Sequence, residues 1–414
     1  MDEVHVVTCF LRNRGEVLLL CRSDAVGSYT GRWGAVAGHA EGDPDAMAHQ
    51  EIAEETGLEA AVALLRCGDS FDVVDADRGT RWVVHPYLFE AAHRAVETND
   101  ETAAYEWVHP TEILRRETVP DLWESYDRVR PTVRTVREDR DHGSAWLSVR
   151  ALEVLRDEAG VRSWGGENGD WDDVAAVARD LRDARPSMPV VGNRVNRTMA
   201  RADQSPAGIE HAAREGIEAA LTADDEAAEN AAERLPDRIA TLSRSGTVQS
   251  AIERADPDAV LVAESRPGGE GVGVAEGLAR DYEVTLAGDA DLAWAIHEWE
   301  PGAIIVGADA IRTDGGVMNK VGTRAAALAG THEGVPVLVV GAAEKVDVDA
   351  ATAVETVDPT EIYDGPGNLT VRSPLFDVTP PALIDAICTD RGVLEPADVE
   401  RIAAEQRANA DWTD

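Results

Sequence analysis

The spacing of apolar and polar positions changes several times along the chain. Residues 4–10 (VHVVTCF) and 16–21 (EVLLLC) are short apolar runs separated by Asn13-Arg14-Gly15, which predicts two strands joined by a turn. Residues 81–89 (RWVVHPYLF) predict a further strand. Glu106-Trp107-Val108 predicts a closing strand, with a short helix at Pro110-Thr111-Glu112-Ile113-Leu114. Residues 117–140 are polar, arginine-rich and marked by Pro120 and Pro131, which suits a connecting helix or linker. From Ser144 to Glu233 the period is helical, with alanine-rich amphipathic runs at Val174–Asp183 and Ile209–Leu235. It then changes again. Ala259–Ala263, Glu283–Ala287, Ala303–Val306 and Pro336–Val340 are short β-branched runs alternating with helical stretches, predicting parallel β-α-β units in a doubly wound sheet. Ligands of such sheets bind outside the carboxyl ends of the strands. The fold class is α/β.

Between the first strands and the rest stands Gly38 to Leu58, whose second half predicts one helix. Asp43 is suited to the N-cap, Pro44 to the first helical position and Gly57 to the left-handed position after the last turn. Glu51, Glu54 and Glu55 then fall at i, i+3 and i+4 on one face. Like charges so placed cost a bare helix about 0.2–0.5 kcal/mol per pair. A solvated acidic face is one reading; a hard divalent cation, which prefers carboxylate oxygens and shares them with phosphates, is the other.

Glu51-Ile52-Ala53-Glu54-Glu55-Thr56-Gly57-Leu58 resembles the core of the Nudix box, and Gly31-Arg32-Trp33-Gly34 resembles that family's strand entry. The resemblance implies an α/β/α sandwich, Mg²⁺ or Mn²⁺ on Glu51, Glu54 and Glu55, and catalysis through Glu54 and Glu55. It also implies a further acid from a later loop, for which Glu97, Asp100 and Glu101 all qualify. Departures are a loop two residues short after Gly38, Glu41 or Asp43 at the early acidic position, and Gln50 in place of the family's bracing arginine.

Composition narrows the setting. The 414 residues exceed one ordinary core, so two or three domains are expected. The net charge is −39, and lysine occurs only as Lys320 and Lys345. This balance resembles cytosolic proteins of salt-in halophiles, and it argues against nonspecific nucleic-acid binding, which needs cationic patches. Cys9, Cys21, Cys67 and Cys388 form no C-x-x-C pair, and no apolar run has membrane length, so a cytoplasmic protein without membrane association is expected.

The ends of the later strands carry a second constellation. Ser243-Arg244-Ser245-Gly246 precedes a helix, Glu264-Ser265-Arg266-Pro267 and Gly307-Ala308-Asp309 each follow a strand, and Asn319-Lys320-Val321-Gly322-Thr323 opens another helix. A helix amino terminus with Ser245, Arg266, Lys320 and Lys345 suits one or two phosphates. These motifs, with Ser373-Pro374-Leu375-Phe376-Asp377-Val378-Thr379-Pro380, resemble the family of initiation factor 2B subunits, ribose-1,5-bisphosphate isomerase and methylthioribose-1-phosphate isomerase. The resemblance implies that Asp309 is a general acid, that Asn319 and Lys320 grip substrate, and that Arg185 of Arg185-Pro186 contacts phosphate. Asp141-His142-Gly143-Ser144 lies where the isomerases carry an R-G-A phosphate loop and lacks its arginine. Ser243 stands where they carry the catalytic cysteine.

The expected organisation is a Nudix domain at 1–127, a linker at 128–140, a helical subdomain at 141–235 and a Rossmann-like domain at 236–414. Three readings follow, and they are compatible. The first is a metal-dependent hydrolase of a nucleoside-diphosphate derivative. The second is a regulatory domain that binds a sugar phosphate or nucleotide and partners initiation factor 2. The third is a ribose-1,5-bisphosphate isomerase. A homo-oligomer is implied by the same family. The fusion itself raises the expectation that the first half makes or removes the ligand read by the second.

Overall fold

The computed structural model describes residues 2–40, 42–165, 170–348 and 354–413, so Glu41 lies outside the described residues. The chain forms two compact units, one of residues 1–132, 153–174 and 204–217, the other of 133–152, 175–203 and 218–414.

In the first unit the strand Asp2–Asn13 is central. It runs parallel to Thr80–Ala91, with Val6 opposite Val84, and antiparallel to Val36–His39 and Glu16–Arg22. Side chains alternate across a strand. Val7, Cys9 and Leu11 therefore meet Ala48 and Ile52 of the helix Pro44–Thr56, while Phe10 packs on the other face with Leu88, Ile113 and Leu122. Burial on both faces explains why this strand reads as an unbroken apolar run. The helix ends as its sequence predicts. Asp43 accepts from the Asp45 amide at 3.1 Å, Pro44 is the first residue, and Gly57 takes φ 68° with its amide on Ala53 O. Strands Val62–Cys67 and Phe71–Asp75 carry no comparable signal, because much of each is exposed, Leu64 among them.

The second unit is built on a seven-stranded sheet. Its order is Glu283–Ala287, Ala259–Ala263, Arg238–Leu242, Ala303–Gly307, Val337–Val340, Ala386–Thr389, Gly392–Val393, parallel except for the last pair. From Arg238–Leu242 the chain winds outward to one edge, then returns to Ala303–Gly307 and winds to the other. The strand order therefore reverses between Arg238–Leu242 and Ala303–Gly307, and crevices open at such switch points. Apolar clusters cover both faces, with Leu261, Ile304 and Val339 on one and Ile239, Val260 and Ile305 on the other. A small antiparallel sheet of Ala310–Ile311, Val317–Lys320 and Phe376–Thr379 extends the crevice. The region expected to be helical forms Ser144–Trp164, Trp171–Arg182, Pro189–Arg201 and Pro206–Ala232. Among the described residues no helix is long and apolar enough to cross a membrane.

Candidate functional site

The carboxylates of the first unit are held at different depths. Gly38 lies against Glu51 so closely that a Cβ there would sit 1.9 Å from the carboxylate carbon. Glu55 is buried and accepts from the backbone of Ala37. Burial first, and then the neighbouring Glu51, push the Glu55 carboxyl up to about 8, with Arg22 pulling the other way. Burial, Glu54 and Glu101 likewise raise Glu51. Two carboxylates that resist ionising side by side fit a divalent cation, which would remove both penalties. Glu54 stands apart: it is exposed and accepts from Gln50 Nε2 at 2.8 Å. Gln50 thus braces a carboxylate where the Nudix pattern has arginine, as a neutral amide. Among the described residues no three His, Cys, Asp or Glu side chains converge closely enough to form a metal cage. Of the three loop acids, Glu101 is the one whose charge reaches both Glu51 and Glu55. Glu97 packs on Gly57, and its amide donates to Thr56 O at 2.9 Å. Arg22 and Glu101 carry no motif; only the closure of the sheet brings them to the helix.

At the switch point of the second unit opens a cavity of about 570 Å³. Ser243 follows one of the two diverging strands and Asp309 the other. Ser243 has φ 65°, a left-handed conformation uncommon outside glycine. It is held there by its amide on Ser265 Oγ at 2.7 Å. Its hydroxyl donates to Glu270 Oε1 at 2.9 Å, and Lys320 Nζ lies 2.8 Å from the same oxygen. Asp309 is buried opposite, where burial holds its carboxyl above the usual range despite the pull of Lys345. Burial lowers Lys345, whose ammonium donates to Ala308 O at 2.6 Å. Arg185 also lines the cavity and pairs with Glu355 at 3.2 Å.

Other predicted residues are satisfied internally or turned away. Asn319 Nδ2 donates to Thr323 Oγ1 at 3.0 Å. Ser245 caps the helix Gly246–Ala255 and lines the cavity, so that helix points its amino terminus there. The helix opening at Thr323 does not offer a free terminus, because the Asp377 carboxylate accepts from the Gly322 amide at 2.9 Å and the Arg324 amide at 3.2 Å. The Arg266 side chain is 66% exposed, pairs with Glu264 at 3.3 Å, and is not among the residues facing the cavity. Glu270 and Glu355 were missed by sequence reasoning. Glu270 had a usable signal, since it opens the helix after the strand Ala259–Ala263 and so falls at a strand's carboxyl end. Glu355 had none.

The Initiation factor 2 subunit family matches residues 140–396, well over half of the chain. The chain belongs to that family. A NUDIX domain matches residues 2–129. The chain is 28% identical over 301 residues to ribose 1,5-bisphosphate isomerase of Haloferax volcanii, covering 66% of this chain and 92% of that protein. It is 38% identical over 173 residues to methylthioribose-1-phosphate isomerase of Xylella fastidiosa, covering 39% of this chain and spanning 48% of that relative's length. Among solved structures it resembles the translation initiation factor eIF-2B of Pyrococcus horikoshii OT3. The TM-score is 0.56 and the identity 26%, covering 64% of this chain and 97% of that one.

Proposed function

We propose that this member of the family carries two sites with separate tasks. The NUDIX domain hydrolyses the pyrophosphate of a nucleoside-diphosphate derivative. The cavity at the switch point binds a sugar phosphate or nucleotide as a regulatory ligand.

In the NUDIX domain Glu51 and Glu55, with Glu54 on the same helix, would hold Mg²⁺ or Mn²⁺. When bound, the metal neutralises phosphate charge and lowers the pKa of water. Glu55 must give up its proton for this, and its buried place under the Ala37 amide fixes the carboxylate's direction. Glu101 supplies a further carboxylate beside the pair and serves as the proton acceptor. Glu55→Gln tests the reading: hydrolysis of nucleoside-diphosphate derivatives, followed by phosphorus NMR, is expected to fall at least about a hundredfold, since losing a metal ligand costs no less than losing its outer-shell support. Unchanged hydrolysis in a folded variant refutes it.

The cavity reading rests on Ser243. Where the resembling isomerases use a thiol of pKa about 8.5, this site offers a hydroxyl engaged with the Glu270 carboxylate. Such a group holds a ligand hydroxyl better than it relays a proton. The likeness to a ribose 1,5-bisphosphate isomerase over nearly its whole length supports a phosphorylated sugar as the ligand. The same likeness, with Asp309 buried in the cavity wall and its carboxyl held above the usual range by that burial, favours isomerisation as the second reading.

A further inference from the structure

Three of the cations that line the cavity face it together with a carboxylate. Lys320 is paired with Glu270 at 2.8 Å, Lys345 is opposed by the buried Asp309, and Arg185 is paired with Glu355. The three carboxylates differ in how they are anchored. Asp309 follows a core strand, and its amide donates to Met318 O at 2.9 Å. Glu270 lies in the first turn of the helix Glu270–Leu278. Glu355 lies outside any helix or strand, on a segment tied to the loop before Phe376 by the Leu375 amide on Glu355 O at 2.8 Å and the Val357 amide on Ser373 O at 2.9 Å.

Glu355 occupies Arg185 as a bound anion would. Its two oxygens take Arg185 Nε and Nη2, each at 3.2 Å, in the two-pronged geometry that guanidinium offers to carboxylate and phosphate alike. The Ser187 hydroxyl donates to the same carboxylate. The Arg185 side chain is 2% exposed, so little solvent screens the pair. The next residues, Thr356, Val357 and Asp358, line the cavity.

We propose that Glu355 is an internal competitor: it fills the anion position at Arg185, and a ligand phosphate enters by displacing it. The proposal rests on the reading of the cavity as a phosphate site. Displacement breaks the carboxylate's hold on Arg185 and Ser187 and frees residues 355–358 from the loop at 373–375. Occupancy of the cavity is thereby converted into a change in a surface segment, which is what a regulatory site needs. It follows from mass action that removing the competitor raises affinity without any new contact.

The test is isothermal titration of ribose 1,5-bisphosphate into wild type and Glu355→Gln in molar potassium chloride. Glu355→Gln is expected to bind at least about tenfold more tightly. Because the variant removes the carboxylate paired with Arg185 and could lose stability, hydrogen exchange of the wild type is read alongside. Ligand is expected to speed exchange of the Val357 and Leu375 amides. Equal or weaker binding by a folded variant, with those amides unchanged, overturns the proposal and leaves the phosphate site standing. Absence of binding to either protein overturns both.

Discussion

Gly38 and Glu51 are in contact, and nothing larger than hydrogen fits between them: a Cβ at residue 38 would lie 1.9 Å from both the Glu51 Cδ and Oε1. The strand Val36–His39 therefore fixes where the first carboxylate of the helix points. Gly38→Ala is expected to push Glu51 aside and weaken Mn²⁺ binding by about 10–100-fold, the usual cost of disturbing a metal ligand's support. Thermal unfolding and metal titration of the same variant check this. A fold that melts as wild type while metal affinity collapses is the expected pair of results.

The Glu55 carboxyl sets a pH dependence of definite sign. Its native value of about 8 lies above the ordinary 4.5, so the folded protein holds a proton that the unfolded chain releases. Without metal, its contribution to stability is fully present below pH 4.5 and is lost as pH rises toward about 8. Metal must displace that proton. Mg²⁺ binding at pH 7 is expected to release protons, and affinity to rise as pH approaches 8 and then level off. Calorimetry in buffers of different ionisation enthalpy measures the count. A pH-independent affinity between 6 and 8 would contradict the placement of Glu55 in the metal site.

Lys320 and Glu270 form a largely buried pair, their side chains 5% and 18% exposed. Removing one partner strands the other charge, at a cost of about 3–5 kcal/mol at full burial and somewhat less here. Lys320→Ala is accordingly expected to lower the unfolding midpoint in denaturant more than Lys320→Met combined with Glu270→Leu. The single variant should also lose sugar-phosphate binding. If the double variant is the less stable, the pair contributes net stability and this account of its energetics fails.

Much of the fold was legible because the inner strands of both sheets are buried on two faces, while edge strands such as Glu283–Ala287 were legible from their alternation with helices. Ala259–Ala263 and Glu283–Ala287 carry the bounds that the pattern predicts. Arg238–Leu242, the strand at the switch point, was not picked out: only Ile239 and Leu242 are strongly apolar, and Ala240 and Thr241 between them dilute the run. The helix with Glu51, Glu54 and Glu55 was readable from its caps, since Asp, Pro and Gly at fixed offsets act locally. What could not be read is how side chains share partners. The i, i+4 spacing lets Glu54 meet Gln50, but no spacing rule says that Glu55 goes inward, or that Lys320 finds Glu270 fifty residues earlier in the chain. Those choices belong to tertiary packing, and so do Glu101 beside the carboxylate helix and Glu355 on Arg185.

The central claim is that the cavity between Ser243 and Asp309 binds a phosphorylated sugar and does not convert it. Ribose 1,5-bisphosphate mixed with the purified protein in molar potassium chloride, followed by phosphorus and carbon NMR, tests it directly. Saturable shifts of the phosphorus signals with the aldose carbons intact are the predicted result. Appearance of the ketose carbonyl, lost again in Asp309→Asn, would contradict it and make the second unit an isomerase that works with serine.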